Sequence, residues 1–279
     1  MSATGAPLHV ALVNLALVPG LRPADLLGRL PGLGRFAAAL AEAGARVTVV
    51  ARAGEDADLH EGPVRLVALH DGDAPFRPLR DPALRVAAAL RRLAPDVVHV
   101  GGLLFPVPTA VFRAALPGRV PVVLQHHGEP PGDGRLGLLQ RALLRRADGV
   151  LVTSSGIADD WIARGLLPPG MPIHEVLEAS TDLRAVDRDD ARRAVPIDGA
   201  PAVLWVGRLH PRKDPLTALR AFEIARRRLP AARLHLVYGE APLLGAVERV
   251  CAGSDALRES VRFVGGVPHG ELPSWYSAA

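Results

Sequence analysis

Cysteine, lysine and aromatic side chains are nearly absent from this chain, and each scarcity excludes something. One cysteine, Cys251, among 279 residues rules out an internal disulfide and a cysteine zinc site, and it suits a reducing compartment. Aromatics make up 4% of the residues, so a core must be built from Leu, Val and Ala, which 49% hydrophobic content allows. The same scarcity argues against a nucleic-acid partner despite the net charge of +4, because single-strand binding surfaces rely on stacked rings. No run approaches the ~20 apolar residues of a membrane-spanning helix. Met1 to Pro7 carries no basic side chain and the apolar stretch from His9 to Val18 is short, so no secretory leader is expected. The expectation is a cytoplasmic protein, with arginine-rich helix ends open to weak peripheral contact with the anionic inner face of a membrane.

Lysine occurs once, at Lys213, among 33 basic residues. Arginine is a flat fork with permanent charge, whereas lysine is a compact point charge on a flexible stem. Lys213 sits in Val206-Gly207-Arg208-Leu209-His210-Pro211-Arg212-Lys213-Asp214-Pro215, directly after an apolar run that reads as a strand. Gly207 ends that run, where a missing Cβ lets a ligand approach the backbone. Arg208 follows at the carboxyl end. Asp214 is placed to cap a helix that opens on Pro215. Two cations and a helix N-terminus in one crevice suit a diphosphate.

Short β-branched runs alternate with Ala/Leu/Arg segments of helical period along most of the chain. Strands are predicted over His9–Leu17, Arg46–Arg52, Val64–Leu69, Asp96–Gly101, Val120–His127, Gly149–Ser154 and His174–Ala179. Helices are predicted over Leu33–Ala43, Pro82–Leu93, Pro106–Leu116, Leu136–Arg146 and Ile157–Arg164. Near-continuous apolar strands separated by helices imply a parallel sheet covered on both faces, which binds ligands at the carboxyl ends of its strands. A charged stretch, 183–200, reads as a linker with one short helix. A second series follows: strands Ala202–Gly207, Arg233–Gly239 and Val261–Gly265, with helices Pro215–Arg228 and Leu243–Cys251 and a last one from Glu271. Three strands are few for such a lobe, so a fragment of a longer protein is expected.

The segment from Gly207 to Lys213 resembles the Gly-Arg-Leu…Lys signature of glycosyltransferase family 4. Further stretches agree in order: Pro95-Asp96-Val97-Val98-His99, Pro121-Val122-Val123-Leu124-Gln125-His126-His127-Gly128, Ala147-Asp148-Gly149 through Ser155, and Val261 to Val267 followed by Leu272 and Trp275 to Ala279. The resemblance implies an α/β protein of the GT-B type. It has two Rossmann-like lobes with parallel sheets: an acceptor-side lobe over 1–182 and a partial nucleotide-sugar-binding lobe over 201–279. It also implies a retaining, metal-independent transfer of sugar from a UDP- or GDP-linked donor to a sugar, lipid or small-molecule acceptor. Arg208 and Lys213 would hold the leaving diphosphate, His127 would contact the transferred sugar, and Val267 would meet the base through its backbone. Gly32 and Gly34, in Pro31-Gly32-Leu33-Gly34-Arg35, resemble the family's glycine loop, which follows a strand and opens a helix; the usual adjacent pair is here split by Leu33. His126, as the strand neighbour of His127, would face away, and Asp182 would be structural at the first lobe's exit. The family continues with two glutamates beyond the position where this sequence stops, so the chain is expected to bind donor weakly and to turn over little or nothing by itself.

Other readings fit less of the chain. A metal-dependent transferase would need Asp-x-Asp, offered by Asp56-Ala57-Asp58 and Asp71-Gly72-Asp73, both read as polar loops. A dinucleotide oxidoreductase would need a third glycine where Ala37 stands. A sugar-nucleotide epimerase of the same architecture, and a non-catalytic binding module, remain open.

Overall fold

The computed structural model describes residues 6–16, 20–72, 77, 80–177, 181 and 183–279, and of Pro31 the backbone only. Met1, Leu17, Val18, Asp73, Ala179 and Asp182, all named in the sequence reading, lie outside the described residues. The chain divides into two compact units, Met1–Thr181 and Asp182–Ala279.

The first unit holds eight strands: β1 (His9–Asn14), β2 (Arg46–Ala53), β3 (Ala57–Glu61), β4 (Val64–His70), β5 (Val97–Gly101), β6 (Val122–Gln125), β7 (Gly149–Val152) and β8 (Ile173–Glu175). They form one sheet in the order β3-β4-β2-β1-β5-β6-β7-β8. All neighbours run parallel except β3 against β4. Helices α1 (Leu26–Arg29), α2 (Pro31–Glu42), α3 (Leu84–Leu93), α4 (Pro106–Ala115), α5 (Gly134–Leu143) and α6 (Ser155–Ala163) connect them.

Strand β1 shows why the sheet needs cover on both faces. Neighbouring residues point to opposite sides. Val10 and Leu12 pack with Leu26, Leu27 and Ala37 of α1 and α2. Ala11 and Val13 pack with Val86 and Leu90 of α3 and Phe112 of α4.

The strand β3 corrects the reading of Asp56-Ala57-Asp58 as a loop. It is an exposed edge strand of five residues in which only Ala57 and Leu59 alternate with polar neighbours, too short a pattern to stand out in the sequence. Its aspartates pair with arginines rather than standing open: Asp58 accepts from Arg65 at 2.9 and 2.6 Å, and Asp56 accepts from Arg85 at 3.1 and 2.7 Å. The Arg85 guanidinium holds the Asp56 carboxyl below the usual carboxylate range.

The second unit has a three-stranded parallel sheet in the order β11-β10-β9. Its strands are β9 (Ala202–Val206), β10 (Arg233–Val237) and β11 (Val261–Gly265), with helices α7 (Arg188–Ala194), α8 (Pro215–Arg226), α9 (Leu244–Ala252), α10 (Asp255–Ser260) and α11 (Leu272–Ala278). One face buries Leu219, Phe222, Leu234, Leu236, Val247, Cys251 and Leu257. Burial pushes the Cys251 thiol up, which keeps it protonated and inert.

The other face buries Ala191, Val195, Val237, Trp275 and Ala278. The 183–200 stretch, read as a linker with one short helix, is stitched to that face. Asp187 caps α7 by accepting from the Asp189 and Asp190 amides at 2.9 and 3.1 Å. Arg192 Nε donates to the Ala278 carbonyl at 3.0 Å, and the Val186 amide donates to Ser277 Oγ at 3.1 Å. High charge density hid this role, since α7 buries one small apolar side, with Ala191 at its centre.

Helix α10 was not expected; it is six residues long and capped by Ser254, too short to show a period. Trp275 is the largest side chain between α7, α11 and β10. Trp275→Ala is expected to destabilise the second unit by about 3–5 kcal/mol, read as a lowered urea midpoint for that unit while the first unit's transition stays in place.

Candidate active site

Parallel strands deliver their carboxyl ends to one edge of each sheet, and the sequence-predicted site residues fall at those edges. In the first unit β1 is the point where the chain order reverses, with β2 on one side and β5 on the other. Such a reversal opens a crevice at the carboxyl ends. Gly101 ends β5 there, and a Cβ on it would stand 3.3 Å from His127 Nε2 and 3.7 Å from the Val13 carbonyl. The exposed His127 ring therefore lies against the Gly101 backbone, beside the end of β1.

Strand β6 stops at Gln125, so His126 and His127 lie in a turn beyond it rather than on opposite faces of a strand. The two side chains part company all the same. His126 is buried and meets Trp161 edge-on, with ring centroids 6.1 Å apart. Its Nδ1 accepts from the Gly128 amide at 3.2 Å, which leaves the proton on Nε2 to be donated to the Glu129 carbonyl at 2.9 Å. Gly128 takes φ +81°, in the left-handed region, so the chain reverses around the His126 ring and His127 is turned outward.

The sequence reading passed over the groups that hold this turn. The Glu129 carboxylate accepts from the His127 amide at 2.7 Å and from the Leu103 amide. Gln140, fully buried on α5, donates to the Leu103 carbonyl at 3.1 Å and accepts from the Gly132 amide at 2.9 Å. Gly102 precedes Leu103 at φ +104°, and a Cβ there would meet the Phe105 ring at 3.1 Å. A carboxylate and a carboxamide shortly after paired histidines and a glycine are the only trace of this in the sequence.

His99 lies one layer below. It is 6% exposed, stacks edge-on against Phe36 at 5.2 Å, and is pushed down to about 4. Burial is the main cause and the nearby His127 adds to it, against a bond to Gln125 that raises it.

Gly32 and Gly34 lie within the first turn of α2, so the segment opens a helix as expected, with α1 between it and β1. A Cβ on Gly34 would sit 2.8 Å from the Leu27 carbonyl, so that glycine is explained by the close approach of α1 and α2. A Cβ on Gly32 would meet nothing within 4 Å.

In the second unit the ends of β9, β10 and β11 bring Gly207 and Arg208, Glu240, and Val267 to one edge. Gly207 donates its amide to the Val237 carbonyl at 3.1 Å. A Cβ on it would be 3.1 Å from the Trp205 ring, so the missing side chain makes room for that indole. Arg208 Nη1 lies 3.4 Å from Glu240 Oε2, with side chains 55% and 72% exposed. Lys213 is exposed at the end of a 3-10 turn, Pro211–Lys213, whose backbone is fixed by the Lys213 amide on the His210 carbonyl at 2.9 Å. Asp214 follows at φ 45° and caps α8 through the Thr217 amide at 3.2 Å, with Pro215 first in the helix, as the sequence reading expected. The Val267 side chain packs on the Trp275 cluster, which leaves its backbone at the edge.

Two doubly covered parallel units with polar residues at their carboxyl edges define the GT-B class. Solved structures agree. A sucrose-phosphate synthase from Thermosynechococcus elongatus superposes with a TM-score of 0.63 at 21% identity, over 98% of this chain and 74% of that one. A glycosyltransferase from Rickettsia africae ESF-5 gives 0.63 at 13% identity, over 98% and 71%. Residues 33–174 match Glycosyltransferase Family 4, and the chain belongs to that family.

Two relatives come from Mycobacterium tuberculosis. The GDP-mannose-dependent alpha-(1-6)-phosphatidylinositol monomannoside mannosyltransferase of strain ATCC 25618 / H37Rv is 29% identical over 191 residues, covering 64% of this chain and 47% of its own length. The GDP-mannose-dependent alpha-mannosyltransferase of strain CDC 1551 / Oshkosh is 31% identical over 191 residues, covering 59% and 49%. The chain spans about half the length of the curated relatives it matches.

His99 has a measurable consequence. Its folded value lies below the ordinary 6.5, so between the two the unfolded chain binds the extra proton. Stability is full above about pH 6.5 and falls as pH drops toward 4, by roughly 3 kcal/mol for this group. Denaturant titrations at pH 7 and pH 4 should show that loss, and His99→Gln should reduce it.

Proposed function

We propose that the protein transfers a sugar from a nucleotide-sugar donor to an acceptor hydroxyl, with retention at the anomeric carbon and no metal. In that reaction the bond between the anomeric carbon and the diphosphate oxygen breaks, and its electron pair stays on the diphosphate. The acceptor oxygen bonds to the anomeric carbon on the same face and passes its proton to an oxygen of the departing diphosphate. The charge that grows on the diphosphate needs fixed cations nearby, and this electrostatic term is a large part of such catalysis. Arg208 would supply a forked donor and Lys213 a mobile point charge, with the N-terminus of α8 adding its dipole. His127 would contact the sugar. Gly32 is open to a ligand at the start of α2, and the Val267 backbone is open at the end of β11.

The observation that carries this reading is the second unit's carboxyl edge, where Arg208 follows β9 and Lys213 leads into α8. GDP-mannose is the first donor to test, because both mycobacterial relatives are named for it. Lipid-linked acceptors are a natural class for the same reason. Weak peripheral membrane association at the inner membrane face would suit them, through the exposed Arg135, Leu138 and Arg141 of α5. A non-catalytic nucleotide-sugar-binding module remains the second reading, because the chain spans only about half of these relatives.

Calorimetric titration of the chain with GDP, UDP, GDP-mannose and UDP-glucose tests this. Heat is expected with at least one, and Arg208→Ala and Lys213→Ala should each weaken it tenfold or more. In turnover, losing one cation should cost on the order of 3 kcal/mol in the barrier. Glu240→Gln should tighten binding by less than about fivefold, since an exposed pair is worth about 0–1 kcal/mol. No heat with any nucleotide would exclude the transferase reading.

A further inference from the structure

We infer that Glu129 is a positioning residue that fixes His127 against the end of β5. This rests on the proposed role of His127 at the donor sugar. Four observations converge on it. The Glu129 carboxylate takes the amide of His127 on one oxygen and the amide of Leu103 on the other. Those amides belong to the two loops that leave β6 and β5, so one side chain joins the ends of adjacent strands. The His127 ring is held where a Cβ on Gly101 would approach it to 3.3 Å. Finally, Glu129 is itself aimed by the turn around His126, whose Nε2 donates to the Glu129 carbonyl.

The chemistry requires a carboxylate. Both bonds come from backbone N–H donors, so both side-chain oxygens must accept. Glutamine has one acceptor oxygen and one amide nitrogen, and can keep only one of the two bonds. Aspartate is a methylene shorter on the same backbone. Ordering by such a bridge matters because a displacement of about 1 Å in a group that meets the reacting centre costs rate on the order of a hundredfold.

The test uses the whole chain and two independent readouts. In NMR hydrogen exchange, the Leu103 and His127 amides are expected to be protected in the native chain. Glu129→Gln should leave one of them protected and Glu129→Ala neither, while amides in the middle of β1 and β5 stay unchanged. The His127 imidazole resonances should broaden or shift in Glu129→Ala. Unchanged protection and an unchanged His127 signal would overturn the inference whether or not the chain turns over.

The second readout is release of GDP from GDP-mannose. Glu129→Ala should lower kcat tenfold or more with KM for the donor within about twofold. In a double-mutant cycle, Glu129→Ala should add nothing once His127 is alanine, because it acts through that residue. Additive losses would assign Glu129 a separate role and overturn the inference. Absence of turnover in the native chain would count against the proposed function, while the exchange and imidazole signals still decide the role of Glu129.

Discussion

What each unit places at the carboxyl edge of its sheet depends on strands that run the same way. A parallel sheet needs a covered crossover between successive strands, and that crossover returns the chain to the same starting edge. Seven of the eight strands in the first unit obey this rule, and all three in the second. Loops on the carboxyl edge are thereby freed from packing and can carry function, while the helices on the faces carry stability. Arg208, Lys213, Glu240, His127 and Glu129 all lie at such edges, within a few residues of a strand end or a helix start.

Freedom at a loop has a cost, because each backbone amide there has lost its strand partner. The first unit meets this with side chains. Glu129 and Gln140 satisfy both the amide and the carbonyl of Leu103, a residue only 1% exposed. A buried amide left without a partner would cost about 1–3 kcal/mol. The same bonds that relieve that cost also fix the course of the loops after β5 and β6. Structural satisfaction and the ordering of His127 are one arrangement.

Most of the fold was legible in the sequence because its signals were periodic and local. The strands predicted at Arg46, Val64, Gly149 and Val261 start on those residues, and Asp214-Pro215 marks the start of α8. What escaped has a common cause. The β3 strand is exposed and only five residues long, α10 is shorter than two turns, and α7 shows the core one small residue in a field of charge. The glycines taught a similar lesson. Gly207 reads as an opening for a ligand and Gly34 as part of a glycine loop, yet the space of their missing side chains is taken by Trp205 and Leu27. A sequence shows where a Cβ is absent; only the fold shows what fills the space. Glu129 was invisible for the opposite reason, since one of its two partners, Leu103, lies on another strand's loop 26 residues earlier.

Arg208 and Lys213 differ in how freely they can answer an anion. Arg208 is already near Glu240, but at 3.4 Å with both side chains more than half exposed the pair is screened and contributes about 0–1 kcal/mol. A charge-assisted bond to a phosphate oxygen is worth about 1.5–3 kcal/mol, so under the proposed transfer a diphosphate would outcompete the carboxylate. Glu240 therefore orders the guanidinium without locking it. Lys213 has the complementary character, a backbone pinned by His210 and by the cap of α8 beneath a stem with four rotatable carbons. In the proposed transfer a forked donor held beside a carboxylate and a point charge on a flexible stem would together follow an anion whose charge moves as a bond breaks.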